Sequence, residues 1–117
     1  MTKVLIVDDE ELTLSIVEAM LITDGYDVVT SSDGKKVKKL LESEHPDILI
    51  IDIFMPDVDG LENIRAAKKS CPGLPILAIS SNSDFLRMAE MLGADASIHK
   101  PIFDSNLLEQ VQKLTVH

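Results

Sequence analysis

Three acidic residues fall where short apolar runs stop: Asp8 and Asp9 close the run in KVLIVDDE, and Asp52 closes the one in DILIIDIFMPDVDG. If the two runs are neighbouring parallel strands, their carboxyl ends lie side by side, at the edge where open α/β sheets place their chemistry. Carboxylates gathered there repel one another. At an effective dielectric near 20, two such charges ~4 Å apart cost about 4 kcal/mol, so the pattern asks for a hard divalent cation or a nearby lysine. After Asp52, Pro56 prevents the strand from continuing and Gly60 supplies a flexible joint before the next helix. A side chain at such a strand end is rigidly held yet exposed. Asp52 therefore reads as a nucleophile, since a carboxylate attacking phosphorus needs in-line approach and charge neutralisation rather than a base.

Magnesium takes one or two carboxylates together with waters and phosphate oxygens. We read Asp9 as a direct ligand and Asp8 as an outer-shell one, although either acid is able to take the direct role. Glu10 and Glu11 read as ordinary acids at a helix start, favoured there by the helix dipole. Ser80 ends the run ILAIS, so its hydroxyl points out of the same edge and is able to hydrogen-bond a phosphoryl oxygen; Ser81 and Ser83 read as turn formers or caps. Lys100 closes ASIHK, and an ammonium at the end of a buried strand is explained by an anionic site, where it offsets carboxylates and binds a phosphoryl oxygen as a point charge. Pro101 after it invites a cis bond.

The elements that position these residues alternate along the chain. Strand-like runs at Lys3–Val7, Asp27–Thr30, Ile48–Ile51, Ile76–Ile79 and Ala96–His99 are each followed by a helical pattern, at Glu11–Thr23, Lys35–Ser43, Leu61–Lys69, Phe85–Leu92 and Ser105–Leu114. This is (βα)5. Runs such as LIV, ILII and ILAI are apolar at every position, as parallel strands buried on both faces require. Right-handed βα crossovers then make a doubly wound parallel sheet, with a strand order that the pattern alone leaves open. Gly25 and Gly93 follow the first and fourth helices, and Ser32-Asp33-Gly34, His45-Pro46 and Cys71-Pro72-Gly73 punctuate the rest.

A chain of 117 residues has room for one domain and one core. With 45% apolar and only 3% aromatic residues, that core must be built from Ile, Leu, Val, Ala and Met. The net charge of −9 argues against binding nucleic acid or an anionic membrane through a basic surface. Cys71 is the only cysteine, which excludes an internal disulfide or a cysteine metal cluster and fits a reducing compartment. The first apolar run is too short for a signal peptide or membrane span, so the expected location is cytoplasmic. The run Lys35-Lys36-Val37-Lys38-Lys39 reads as a solvated helix face over buried Val37, Leu40 and Leu41. His45, His99 and His117 lack metal spacing, and Met88 and Met91 read as gap-filling packing.

The acidic pair, the D-x-x-M-P-x-x-D-G segment around Asp52, Ser80 and Lys100-Pro101 together resemble the bacterial two-component response regulator receiver domain, in its chemotaxis-regulator-like form. The resemblance covers essentially the whole chain, residues 1–117. It implies a flavodoxin-like fold with strand order 2-1-3-4-5, and phosphotransfer to Asp52 from a histidine kinase or histidine phosphotransfer protein. It also implies Mg2+ held by Asp9, Asp52 and the main-chain carbonyl of Phe54, with Asp8 contributing through water. Ser80 and Lys100 would bind the phosphoryl group, and slow self-dephosphorylation would reset the switch. Such a protein is a phosphoacceptor rather than an enzyme. Its output goes to a downstream protein or to an effector domain for which these residues leave no room.

Two positions depart from the family pattern. Ser97 stands three residues before the lysine, where the family usually carries Tyr or Phe, and Ile102 stands where Phe often follows K-P, with Phe103 one place later. The first departure predicts a different or smaller rearrangement at the fourth helix and fifth strand. It also keeps open a pseudo-receiver, an adaptor that binds partners without phosphorylation, although the complete set of Asp8, Asp9, Asp52, Ser80 and Lys100 weighs against that. A flavin phosphate would be repelled by the DDEE loop, and a haloacid-type hydrolase would want an acid where Phe54 stands.

Overall fold

The computed structural model describes residues 1–55 and 58–116, so Pro56 and His117 lie outside the described residues. The five predicted strands are β1 (Lys3–Val7), β2 (Asp27–Ser31), β3 (Ile48–Asp52), β4 (Ile76–Ser80) and β5 (Ala96–His99). They form one parallel sheet in the order β2-β1-β3-β4-β5, which is the order implied for the flavodoxin-like fold. The helices are α1 (Glu11–Thr23), α2 (Val37–Glu44), α3 (Gly60–Ser70), α4 (Ser83–Leu92) and α5 (Asp104–Thr115).

The all-apolar strands are divided by the two-residue period of a pleated strand. Leu5, Val7, Leu49, Ile51, Ile76 and Ala78 point to one face, where Val37, Leu41, Ile64, Ala67, Leu86 and Ala89 of α2, α3 and α4 cover them. Val4, Ile6, Ile48, Ile50, Leu77 and Ile79 point to the other face, under Leu14, Val17 and Leu21 of α1 and Leu107 and Val111 of α5. Each fully buried Ile or Leu contributes roughly 1.5–3 kcal/mol. Two such layers pin the strand ends that carry the acids.

Several boundaries differ from the sequence expectation because caps decide them. The Asp59 side chain accepts from the Glu62 N–H, so α3 begins at Gly60. Asn82 accepts from the Phe85 N–H and starts α4 at Ser83, which leaves Ser81 outside the helix. Asp33 accepts from the Lys35 N–H and opens a 3-10 turn, Gly34–Lys36, ahead of α2. The lysine run is a solvated face, as read, over buried Val37 and Leu41, with Leu40 half-buried. Met88 and Met91 do not fill gaps: they are 44% and 83% exposed on the outer side of α4.

Two short strands that the sequence pattern did not suggest, Phe54–Met55 and Val58–Asp59, pair antiparallel in the β3–α3 connection. Gly60 follows them, and its role is not the flexible joint expected. A Cβ at this position would lie 2.3 Å from the Ile53 carbonyl oxygen and 2.4 Å from its Cα, so only a residue without a side chain lets α3 start this close to the end of β3.

Candidate functional site

Register brings the predicted acids together. Val7 pairs with Ile51, so the next residues, Asp8 and Asp52, leave adjacent strands at the same level. Asp8 is fully buried; its Oδ1 accepts from the Glu10 N–H at 2.9 Å, and its Oδ2 is held by the Lys100 ammonium. Asp52 is 4% exposed, and its Oδ1 accepts from the Phe54 N–H at 3.0 Å. Asp9 is exposed, yet carboxylate oxygens of Asp8, Asp9 and Asp52 lie within 4.8 Å of one another. A buried carboxylate oxygen whose close partner is the Lys100 ammonium, set among further hard oxygen donors, suits a hard divalent cation.

Lys100 reaches the same point from β5. Its N–H donates to the Ser80 carbonyl at 2.8 Å, extending the ladder between β4 and β5, and the peptide bond to Pro101 is cis, as its sequence invites. Its Nζ lies 3.0 Å from Asp8 Oδ2, 3.3 Å from Asp52 Oδ2 and 3.4 Å from Glu10 Oε1. Ser80 ends β4 almost completely buried, and its Oγ accepts from the Asn82 N–H at 3.0 Å. A cleft of about 800 Å³ opens over Asp52, lined among others by Asp9, Phe54, Ser81, Lys100 and Ile102. Ser81, read as a turn residue, thus borders the cleft, whereas the buried Ser80 is not among the residues that line it.

Sequence reasoning missed two participants. Glu10 is not merely a helix-start acid, since it faces Lys100, and Thr13 donates a hydroxyl hydrogen bond to it. The available signal was a third acid directly after the pair, with a threonine three positions on. At the departing positions, Ser97 Oγ donates to Glu90 Oε2 of α4 at 2.5 Å, and Phe103 is exposed while its N–H donates to Asn106 Oδ1.

The electrostatics follow from burial. Burial first, with the Asp52 charge adding to it, pushes the Asp8 carboxyl up to about 6, against the lowering effects of the Glu10 N–H and Lys100. Burial also works against the Lys100 charge, but the hydrogen bond to Asp8 and the Asp52 and Asp8 charges outweigh it, so its pKa lies above the ordinary lysine value. Thr13 and then Lys100 lower Glu10.

For Asp8 the folded pKa exceeds the value of 3.8 expected without the site. The stability that comes from its retained proton is present below 3.8 and lost as pH rises through about 6. Raising the carboxyl from 3.8 to about 6 corresponds to about 3 kcal/mol. In chelator, Asp8→Asn is expected to be more stable than wild type by up to about that amount at neutral pH, and the difference should vanish near pH 4. Urea unfolding at the two pH values checks this. An equal gain at both would show that ionisation of Asp8 is not its source.

The profile of the family described as "Response regulator receiver domain" matches residues 4–112. The alkaline phosphatase synthesis transcriptional regulatory protein PhoP of Bacillus subtilis (strain 168) is 36% identical over 101 residues, covering 85% of this chain and 42% of PhoP. The probable transcriptional regulator ycf27 of Porphyridium aerugineum is 32% identical over 114 residues, covering 96% of this chain and 47% of that protein. The chain thus spans less than half the length of these curated relatives. Among solved structures, the CheY-like response regulator receiver domain protein of Methanospirillum hungatei JF-1 superposes with a TM-score of 0.90 at 29% identity, over 97% of this chain and 94% of that one.

Proposed function

The chain belongs to the response regulator receiver domain family of two-component signalling, and we propose that residues 1–117 act in it as a phosphoacceptor switch whose acceptor is Asp52. The observation that carries this reading is the placement of Asp52. It is fixed at the end of β3, with one oxygen on the Phe54 N–H and the other facing Lys100.

A carboxylate oxygen of Asp52 attacks the phosphorus of a phosphohistidine on a kinase or phosphotransfer protein. A P–O bond forms, the P–N bond breaks, and the imidazole leaves with the electron pair. Lys100 offsets the negative charge that gathers on the phosphoryl oxygens, and the Ser80 hydroxyl turns toward them. Asp9, Asp52 and the Phe54 main-chain carbonyl would hold Mg2+, with Asp8 contributing through water, and the ion supplies further charge neutralisation at those oxygens. Water later cleaves the acyl phosphate, returning the carboxylate and inorganic phosphate, so the protein is a stoichiometric acceptor rather than an enzyme. Its output is a protein contact, to a separate target or to an effector domain, in the cytoplasm. No helix among the described residues is long and apolar enough to cross a membrane.

Intact mass after incubation with acetyl phosphate tests the reading. A gain of one phosphoryl group that needs Mg2+ and disappears in chelator is expected. A protein that remains unmodified and also fails to bind beryllofluoride would instead be an adaptor that does not use the site.

A further inference from the structure

Resting on the phosphoacceptor reading, we infer that Glu10 occupies Lys100 in the resting protein and yields its place to the phosphoryl group, so that phosphorylation of Asp52 is felt at the start of α1. An ammonium has three N–H donors, and three carboxylate oxygens already lie within 3.4 Å of Nζ. The phosphoryl group brings three oxygens where Asp52 presents one, so it competes for Nζ with the other two carboxylates. Asp8 is fully buried and tied to the Glu10 N–H, and the Asp52 oxygen is succeeded by the phosphoryl group it carries. Glu10 remains: its contact is the longest and its side chain is 59% exposed, so water takes over its charge readily.

The Glu10 carboxylate is also spared from holding the helix. It stands at the N-cap of α1 but makes no side-chain hydrogen bond to the helix backbone, while its main-chain carbonyl accepts from the Leu14 N–H. Glu10 is thus a positioning residue that acts through Lys100. Once released, it withdraws from the cleft together with its partner Thr13, which also lines it.

Beryllofluoride with Mg2+ serves as the phosphoryl stand-in, titrated by NMR into wild type, Glu10→Gln and Glu11→Gln. Glu11 carries the same charge one position on and is not a partner of Lys100. Glu10→Gln is expected to tighten beryllofluoride binding about two- to fivefold, the worth of one exposed ion pair, and Glu11→Gln to leave it near the wild-type value. The Thr13 amide should shift on binding in wild type and much less in Glu10→Gln. Equal tightening in both variants would mean general repulsion by surface acids and overturn the inference. So would a Glu10→Gln protein that binds like the wild type, and in both cases the acceptor reading stands. A wild type that takes neither beryllofluoride nor a phosphoryl group overturns both.

Discussion

Asp52→Asn protein, incubated with acetyl phosphate and Mg2+, is expected to stay at its unmodified mass under conditions that convert the wild type. The amide is nearly isosteric, and its oxygen still accepts from the Phe54 N–H, where Oδ1 sits at 3.0 Å. The loop and the strand end should therefore keep their shape. What disappears is the nucleophile, because an amide oxygen does not form a stable acyl phosphate. The neighbouring acids are poor substitutes: Asp8 is fully buried with Lys100 on its free oxygen, and Asp9 lies in an exposed loop. The same change removes the neighbouring charge that adds to burial in raising Asp8, so the variant should lose function without losing stability. A Mg2+-dependent phosphoryl gain that survives Asp52→Asn would move the acceptor to Asp9 or Asp8 and overturn the assignment.

The second large effect lies outside the charged cluster. Gly60→Ala is expected to destabilise the fold by about 3 kcal/mol or more, at the upper end of what overpacking costs. The new methyl would meet the Ile53 oxygen, Cα and carbonyl carbon at 2.3, 2.4 and 2.6 Å, all of them backbone atoms. Ile53 is not free to retreat, since its N–H is bonded to the Ile79 carbonyl at 3.2 Å and its side chain is buried. Relief would come from shifting either the start of α3 or the end of β3, and the latter carries Asp52. Gly73→Ala is the control, because a Cβ there meets nothing within 4 Å, and it should stay within about 1 kcal/mol of wild type. Urea unfolding of the two variants distinguishes the cases. A Gly60→Ala protein as stable as Gly73→Ala would show that the contact with Ile53 relaxes at little cost. Any Gly60→Ala molecules that remain folded should also accept the phosphoryl group more slowly, because Phe54 lies in the displaced loop.

Much of this organisation is legible locally. Apolar runs that stop at Asp8, Asp52, Ser80 and Lys100 announce both the strands and the edge where their side chains emerge. Each signal lies within a few residues of the feature it specifies, as does Gly25 or Gly93 after its helix. Helical periodicity alone starts α3 and α4 one or two residues late, at Leu61 and Phe85, because the caps Asp59 and Asn82 lie outside the apolar pattern. Met88 and Met91 read as packing in the sequence because helical spacing cannot tell which face of α4 is covered.

By itself the sequence determined the alternation of strands and helices and the acids and the lysine at their ends, and hence the expectation of a site for a cation and a phosphoryl group. Tertiary structure alone decided what depends on register and crossover. Glu10 meets Lys100 across 90 positions of chain, and Asp8 loses its solvent because β1 is enclosed between β2 and β3. Gly60 is required because α3 starts against the backbone of Ile53. The physical reason is range: propensity, capping and strand period act over a few residues, whereas desolvation and ion pairing depend on which distant segments are brought within a few ångströms.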